Sequence, residues 1–191
     1  MAIHNTYHDS ANTAVRAFLT KVGAYYNNQT DFNTHTGKGK KTWEQIKSEF
    51  DYSCCYCGKK ADNLTMEHLV MFNRKEGGLH HPENVVPCCI ACNKRTNGQD
   101  KKPIDWRKHL KTVAKEDFEE RLKRIEGHIK KYKYPELTAA EQKAIIVIAE
   151  SLYKNTLDEG ARSYTLYLRL REEFASKELS ATAAITKALE R

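Results

Sequence analysis

Long apolar runs are missing from this chain. The longest, Ala144 to Ala149, has six residues, whereas a membrane-crossing helix needs about 20, so we expect no membrane span. The opening, Met1-Ala-Ile-His-Asn-Thr-Tyr-His, has neither a basic n-region nor an apolar h-region, so we expect no secretory signal and a cytoplasmic protein. There is no internal repeat and no low-complexity segment. Charged residues make up 30% and hydrophobic ones 40%, a globular balance that excludes simple disorder. At 191 residues the chain suits one good-sized domain or two small ones. A chain of this length buries about 70% of its unfolded surface, so disulfides are not needed for folding.

The net charge is +7, and it is unevenly spread. Residues 38–111 hold 15 Lys and Arg against 9 Asp and Glu, while residues 1–37 balance and residues 112–191 carry 15 against 14. A basic middle third suits a polyanion partner, most commonly a phosphate backbone. A solvated basic face would give the same count.

No cysteine lies outside two tight groups, Cys54, Cys55 and Cys57, and Cys88, Cys89 and Cys92. A secreted disulfide scaffold usually scatters its cysteines. Paired CxxC units, Cys54-x-x-Cys57 and Cys89-x-x-Cys92, point instead to a reducing compartment and a structural Zn²⁺, each turn supplying two thiolates of a tetrahedron. Cys88 would give a looser spacing to Cys92, so Cys89 is the preferred ligand. Cys55 and Cys88 then read as small buried hydrophobes. A redox CxxC lacks its βαβ context.

The periodicities predict a helix over about 9–26, then a loop from Asn27 to Lys41. Thr42-Trp-Glu-Gln45 reads as a capping box opening a short helix with Trp43, Ile46 and Phe50 on one face. Leu64–Val70 and Asn84–Pro87 have strand character, with a loop at Arg74–Gly78 between them. Asn93 looks like the start of a short helix. Phe118, Leu122, Ile125, Ile129 and Tyr132 form one helical stripe, ended by Tyr134-Pro135. Thr138-Ala-Ala-Glu141 is a second capping box. Gly160 precedes a further helix, and Ser180 caps a last one. Trp43 and Trp106 read as core.

Between the CxxC units lie Glu67-His68, Gly77-Gly78 and His81-Pro-Glu-Asn84, and Asn93-Lys94-Arg95 follows Cys92. In this order and spacing, residues 50–100 resemble an HNH endonuclease of the ββα-metal superfamily, with the three letters on His68, Asn84 and Asn93. Met71 stands where such proteins often carry Pro, and Glu67 where many carry Asp. The resemblance implies a zinc-stapled ββα-metal core. Taken with the periodicities, the expectation is an α+β fold with that core over 43–110, an N-terminal helix and linker over 1–42, and a C-terminal helical region over 111–191, the flanks themselves showing no resemblance. It implies Glu67 and Asn93 on one divalent cation such as Mg²⁺, His68 on the attacking water, and Asn84 pinning the loop that holds His68.

The residue types suit that chemistry without the family. Histidine, with a pKa near 6.5, takes a proton from water at neutral pH, and a hard cation prefers oxygen ligands. Neighbours on a strand face opposite ways, so Glu67 and His68 can share a site only at a strand end or distorted turn. Lys94, Arg95, Lys101, Lys102, Arg107 and Lys108 read as phosphate contacts. His80 and His81 could be metal ligands or phosphate contacts, but a structural role before Pro82 is preferred. His4, His8, His35, His109 and His128 read as surface or satisfied residues. Asn93 can also serve as a helix cap. The expectation is a restriction, mobile-element, phage or defence nuclease acting on nucleic acid, double-stranded DNA first. Whether it nicks one strand or cuts both depends on its oligomeric state, which the sequence leaves open, a homodimer among the options. The rival is a non-catalytic zinc-stapled nucleic-acid-binding module.

Overall fold

A computed structural model describes residues 6–98 and 103–175, together with Thr186 and Leu189. His4, Lys101, Lys102 and the cap expected at Ser180 lie outside the described residues. The architecture mixes helix and strand: α1 (Tyr7–Tyr26), α2 (Gly37–Glu49), β1 (Thr65–His68), β2 (Val85–Cys88), α3 (Trp106–Ala114), α4 (Phe118–Tyr132) and α5 (Ala139–Ala175). Among the described residues no helix is long and apolar enough to cross a membrane.

The strands pair antiparallel, with Glu67 opposite Val86 and His68 opposite Val85. β2 is buried throughout, so one sheet face cannot turn to water. Its cover comes from α2, α3 and α4. Trp43, Ile46, Trp106, Leu110 and Ile125 close with Val85 and Val86 into the main apolar cluster. The α4 stripe supplies Leu122, Ile125 and Ile129 to it, as its spacing predicts. A second cluster joins Val15 and Leu19 of α1 to Ile145 and Ala149 of α5, with Leu79 from the loop between the strands.

Three local expectations are corrected. First, α2 starts at Gly37, five residues before the supposed capping box, and the Thr42 hydroxyl donates to the Lys38 carbonyl inside the helix. The early start rests on Gly39: a Cβ there would lie 2.3 Å from the Asn33 carbonyl oxygen, so only glycine lets the helix pass this close to the preceding loop. Second, α5 runs unbroken through Gly160. A mid-helix glycine costs only about 1 kcal/mol, and its missing side chain leaves room for the Tyr7 ring on α1. Third, no helix begins at Asn93. The chain there makes a turn, and residues 94–98 that follow it are not helical. The capping box at Thr138 does form, with the Glu141 amide donating to Thr138 Oγ1 at 3.2 Å and the Thr138 amide donating to Glu141 Oε2 at 2.8 Å.

Gly39 and Gly127 make opposite tests of this packing. Gly127, inside α4, has nothing within 4 Å of an added Cβ. Gly127→Ala should therefore gain about 1 kcal/mol of helix propensity and raise Tm by roughly 2–4 °C. Gly39→Ala should lower stability by about 1–3 kcal/mol through overpacking. Thermal and urea unfolding of the two variants checks both signs.

Candidate functional site

The site is built on two tight turns. In the first, the Cys54 amide donates to the Lys59 carbonyl and the Gly58 amide to the Cys54 carbonyl, while the Cys55 amide reaches across to the Pro87 carbonyl of β2 at 2.8 Å. In the second, the Cys92 and Asn93 amides both donate to the Cys89 carbonyl at 3.0 Å. Together the turns bring the sulfurs of Cys54, Cys57, Cys89 and Cys92 within 4.8 Å of one another. Cys57 and Cys89 are 3.8 Å apart. Thiolates about 2.3 Å from a tetrahedral zinc have S···S edges of about 3.8 Å, so this cluster can hold a metal ion such as zinc. Cys55 and Cys88 are buried beside it. Hydrogen bonds from their thiols hold Cys54 far below the usual thiol pKa, and burial pushes Cys55 well above it. The second turn is anchored from α3, where His109 Nε2 donates to the Cys92 carbonyl at 3.0 Å.

Next to the cluster, Arg16, Met66, Glu67, His68, Met71, Phe72 and Asn93 line a cleft of about 330 Å³. Glu67 and His68 reach it together because His68 is the last residue of β1, where the chain leaves the sheet. Glu67 is buried, and its Oε1 accepts from Tyr56 Oη at 3.1 Å and from Arg95 Nε at 2.6 Å. Burial, with the negative charge of Glu67 nearby, keeps the Tyr56 hydroxyl protonated and a donor. Asn93 Nδ2 donates to Thr65 Oγ1 at 2.8 Å and to the Met66 carbonyl at 3.0 Å. A carbonyl only accepts, so the amide orientation is set and Oδ1 is left for the cleft. The cleft lining thus includes a carboxylate and an amide oxygen, the donor types that hard cations take.

Asn84 uses its whole side chain on the loop after β1. Its Nδ2 donates to the Val70 and Leu79 carbonyls at 2.9 Å each, and its Oδ1 accepts from the Val70 amide at 2.7 Å. His68 stacks on Phe72 with centroids 4.6 Å apart, and its Nε2 lies 3.0 Å from His80 Nδ1. Burial, then the neighbouring His80 ring and the charges of Arg95 and Arg16, draws the His68 pKa down to about 3, so the ring is neutral at pH 7.

The basic residues divide. Lys94 and Lys108 are exposed. Arg107 is half-exposed, stacks 4.2 Å from the Trp106 ring centroid and pairs with Glu126 at 3.3 Å. Arg95 is a correction: it is not on the surface but has only 3% of its side chain exposed, reaching under the sheet to Glu67 and to the His68 and Leu69 carbonyls. A buried carboxylate needs a cation, and Arg95 supplies it. His81 is buried and its Nδ1 accepts from the Glu83 amide at 3.3 Å, a structural role at the turn holding Pro82. His128 lies buried between Glu49 and the Pro82 carbonyl, and His8 meets the Tyr153 hydroxyl. His35 is exposed. Arg16 had no signal in the sequence: nothing in helical periodicity says that α1 will face a cleft built from the middle of the chain. Among the described residues it makes no hydrogen bond or ion pair.

Compared with family models, curated proteins and solved structures, the chain matches none.

Metal analysis of the purified protein should give about one zinc per chain. Cys57→Ala and Cys89→Ala should lose it and unfold the core, since the binding energy of a structural zinc is folding energy. Cys88→Ala should keep it, because that sulfur stands outside the cluster of four. Zinc loss in Cys88→Ala with retention in Cys89→Ala would reverse the ligand assignment.

Proposed function

We propose that this chain is a metal-dependent endonuclease of the HNH type, with a zinc-stapled ββα-metal core, hydrolysing phosphodiester bonds in double-stranded DNA. The observation that carries this reading is the single cleft that gathers Glu67, His68, Asn93 and Arg16 beside the four thiols. In this reading β1 and β2 form the strand pair and α3 the helix that follows.

Glu67 and Asn93 would hold a divalent cation such as Mg²⁺. Such an ion supplies charge neutralisation at the phosphate and at the leaving oxygen. His68 takes a proton from water as the water oxygen bonds to phosphorus. The bond from phosphorus to the leaving oxygen then breaks, and solvent protonates that oxygen. Arg16, which has no ion pair among the described residues, brings a positive charge to the cleft, where charge develops on the phosphate. Lys94, Lys101, Lys102, Arg107 and Lys108 meet the backbone electrostatically and set the register of the duplex.

One observation favours a second reading. Glu67 Oε1 is already taken by Arg95 and Tyr56, a partner set that suits a purely structural carboxylate and hence a non-catalytic zinc-stapled nucleic-acid-binding module. Incubation of supercoiled plasmid with the zinc-loaded protein, with and without Mg²⁺, separates the two. The nuclease nicks or linearises the plasmid only when Mg²⁺ is added; the module binds and leaves it closed. His68→Ala should slow cleavage by about 10²–10⁴-fold with zinc content and DNA affinity unchanged. Near-normal cleavage by a folded His68→Ala protein would sink the mechanism. Neutralising Lys101, Lys102, Arg107 and Lys108 together should flatten the salt dependence of binding, by roughly one unit of slope for each phosphate no longer neutralised. An unchanged slope would move the DNA-binding surface to the helical flanks.

A further inference from the structure

We infer that His80 is a positioning residue: through a two-histidine relay ending on the Phe32 carbonyl, it turns the bare Nδ1 of His68 to the cleft. The relay is read from hydrogen-bond chemistry. His80 Nε2 lies 2.9 Å from the Phe32 carbonyl oxygen. A carbonyl only accepts, so His80 carries its proton on Nε2. In a neutral ring Nδ1 is then an acceptor, and burial favours the neutral form of His80. The atom 3.0 Å from that acceptor is His68 Nε2, which must be the donor. One proton order satisfies all three groups: His68 Nε2–H to His80 Nδ1, and His80 Nε2–H to the Phe32 carbonyl.

The rings have little room to turn. His68 lies nearly parallel to Phe72, at 12° and 4.6 Å between centroids. His80 packs against Phe72 at 5.5 Å and against Phe32 at 5.1 Å. Its backbone is held from both sides. Asn84 Nδ2 donates to the carbonyl of the preceding residue, Leu79, and α1 presses on the His80 carbonyl so closely that a Cβ on Gly23 would lie 2.4 Å from its oxygen. The N-terminal helix thus clamps the relay as well as contributing Arg16 to the cleft.

The consequence for His68 is orientation. With Nε2 committed to His80, the only lone pair on the ring is at Nδ1. A base whose orienting partner is removed can rotate or change tautomer, and removing such a partner typically costs about 10–100-fold. The role of His68 as a base rests on the nuclease reading above; the relay itself does not.

The test therefore has two arms on the zinc-loaded full chain. In the first, ¹⁵N spectra of histidine-labelled wild-type protein near pH 7 should show His68 and His80 each as a single Nε2–H tautomer, and His80→Leu should give His68 mixed tautomers. In the second, plasmid cleavage with Mg²⁺ should fall about 10–100-fold in kcat for His80→Leu, with KM and zinc content unchanged. His80→Asn, whose Oδ1 can accept from His68, should recover most of that loss. A His68 protonated on Nδ1 in the wild type overturns the relay, whether or not the protein cuts DNA. An unchanged kcat in His80→Leu overturns the positioning role. The expected tautomers in a protein that cuts no nucleic acid uphold the relay and defeat only the nuclease reading.

Discussion

A carboxylate on the buried side of a small sheet is stable only beside a cation, and the pairing of Glu67 with Arg95 is the constraint on which the site depends. Both side chains are almost fully buried. Removing one partner of such a pair leaves an uncompensated charge and costs about 3–5 kcal/mol. That magnitude decides the path of the chain after β2. A short helix from Asn93 would gain well under 1 kcal/mol per residue in propensity, and Arg95 would have to leave Glu67 to join it. The ion pair wins, and no helix forms over residues 93–98. The same guanidinium binds the His68 and Leu69 carbonyls, so it also settles where β1 ends and where His68 leaves the sheet.

The thiol cluster and the ion pair act in series. The Cys55 amide ties the first cysteine turn to β2, the second turn follows β2 directly, and Asn93 leaves that turn to brace β1 through Thr65 and Met66. A metal in the cluster would lock two turns that already hold both strands. The neighbouring loop between the strands is held differently, by Asn84 from within and by Leu79 in the cluster shared by α1 and α5. The helices outside the motif are therefore part of the site's support: α1 closes one wall of the cleft, and α5 holds α1 there.

Much of this was legible because the signals were local. A CxxC spacing describes a single turn, a Thr-x-x-Glu capping box spans four residues, and the stripe from Phe118 to Tyr132 needs only helical periodicity. The misread positions were those where local chemistry met a distant neighbour. Thr42 looked like a cap, but the cap is displaced because Gly39 can lie against the Asn33 backbone. Gly160 looked like a break, but α1 packs there. Arg95 read as one more member of a basic run, and its burial follows from a carboxylate 28 residues earlier.

By itself the sequence determined which residue types could meet a metal, a phosphate and a proton, since thiolate, carboxylate, amide and imidazole chemistry belongs to the side chains and their spacing sets which can share a turn. Only the tertiary structure decided which of them share one cleft and which are spent on holding it together. It aligned Glu67 and His68 at a strand end, brought Arg16 and Gly23 from a helix far away in the chain, and took Arg95 out of solvent. Burial and close packing act between residues remote in sequence, and a buried charge or an excluded Cβ outweighs the fraction of a kilocalorie that local propensity can offer.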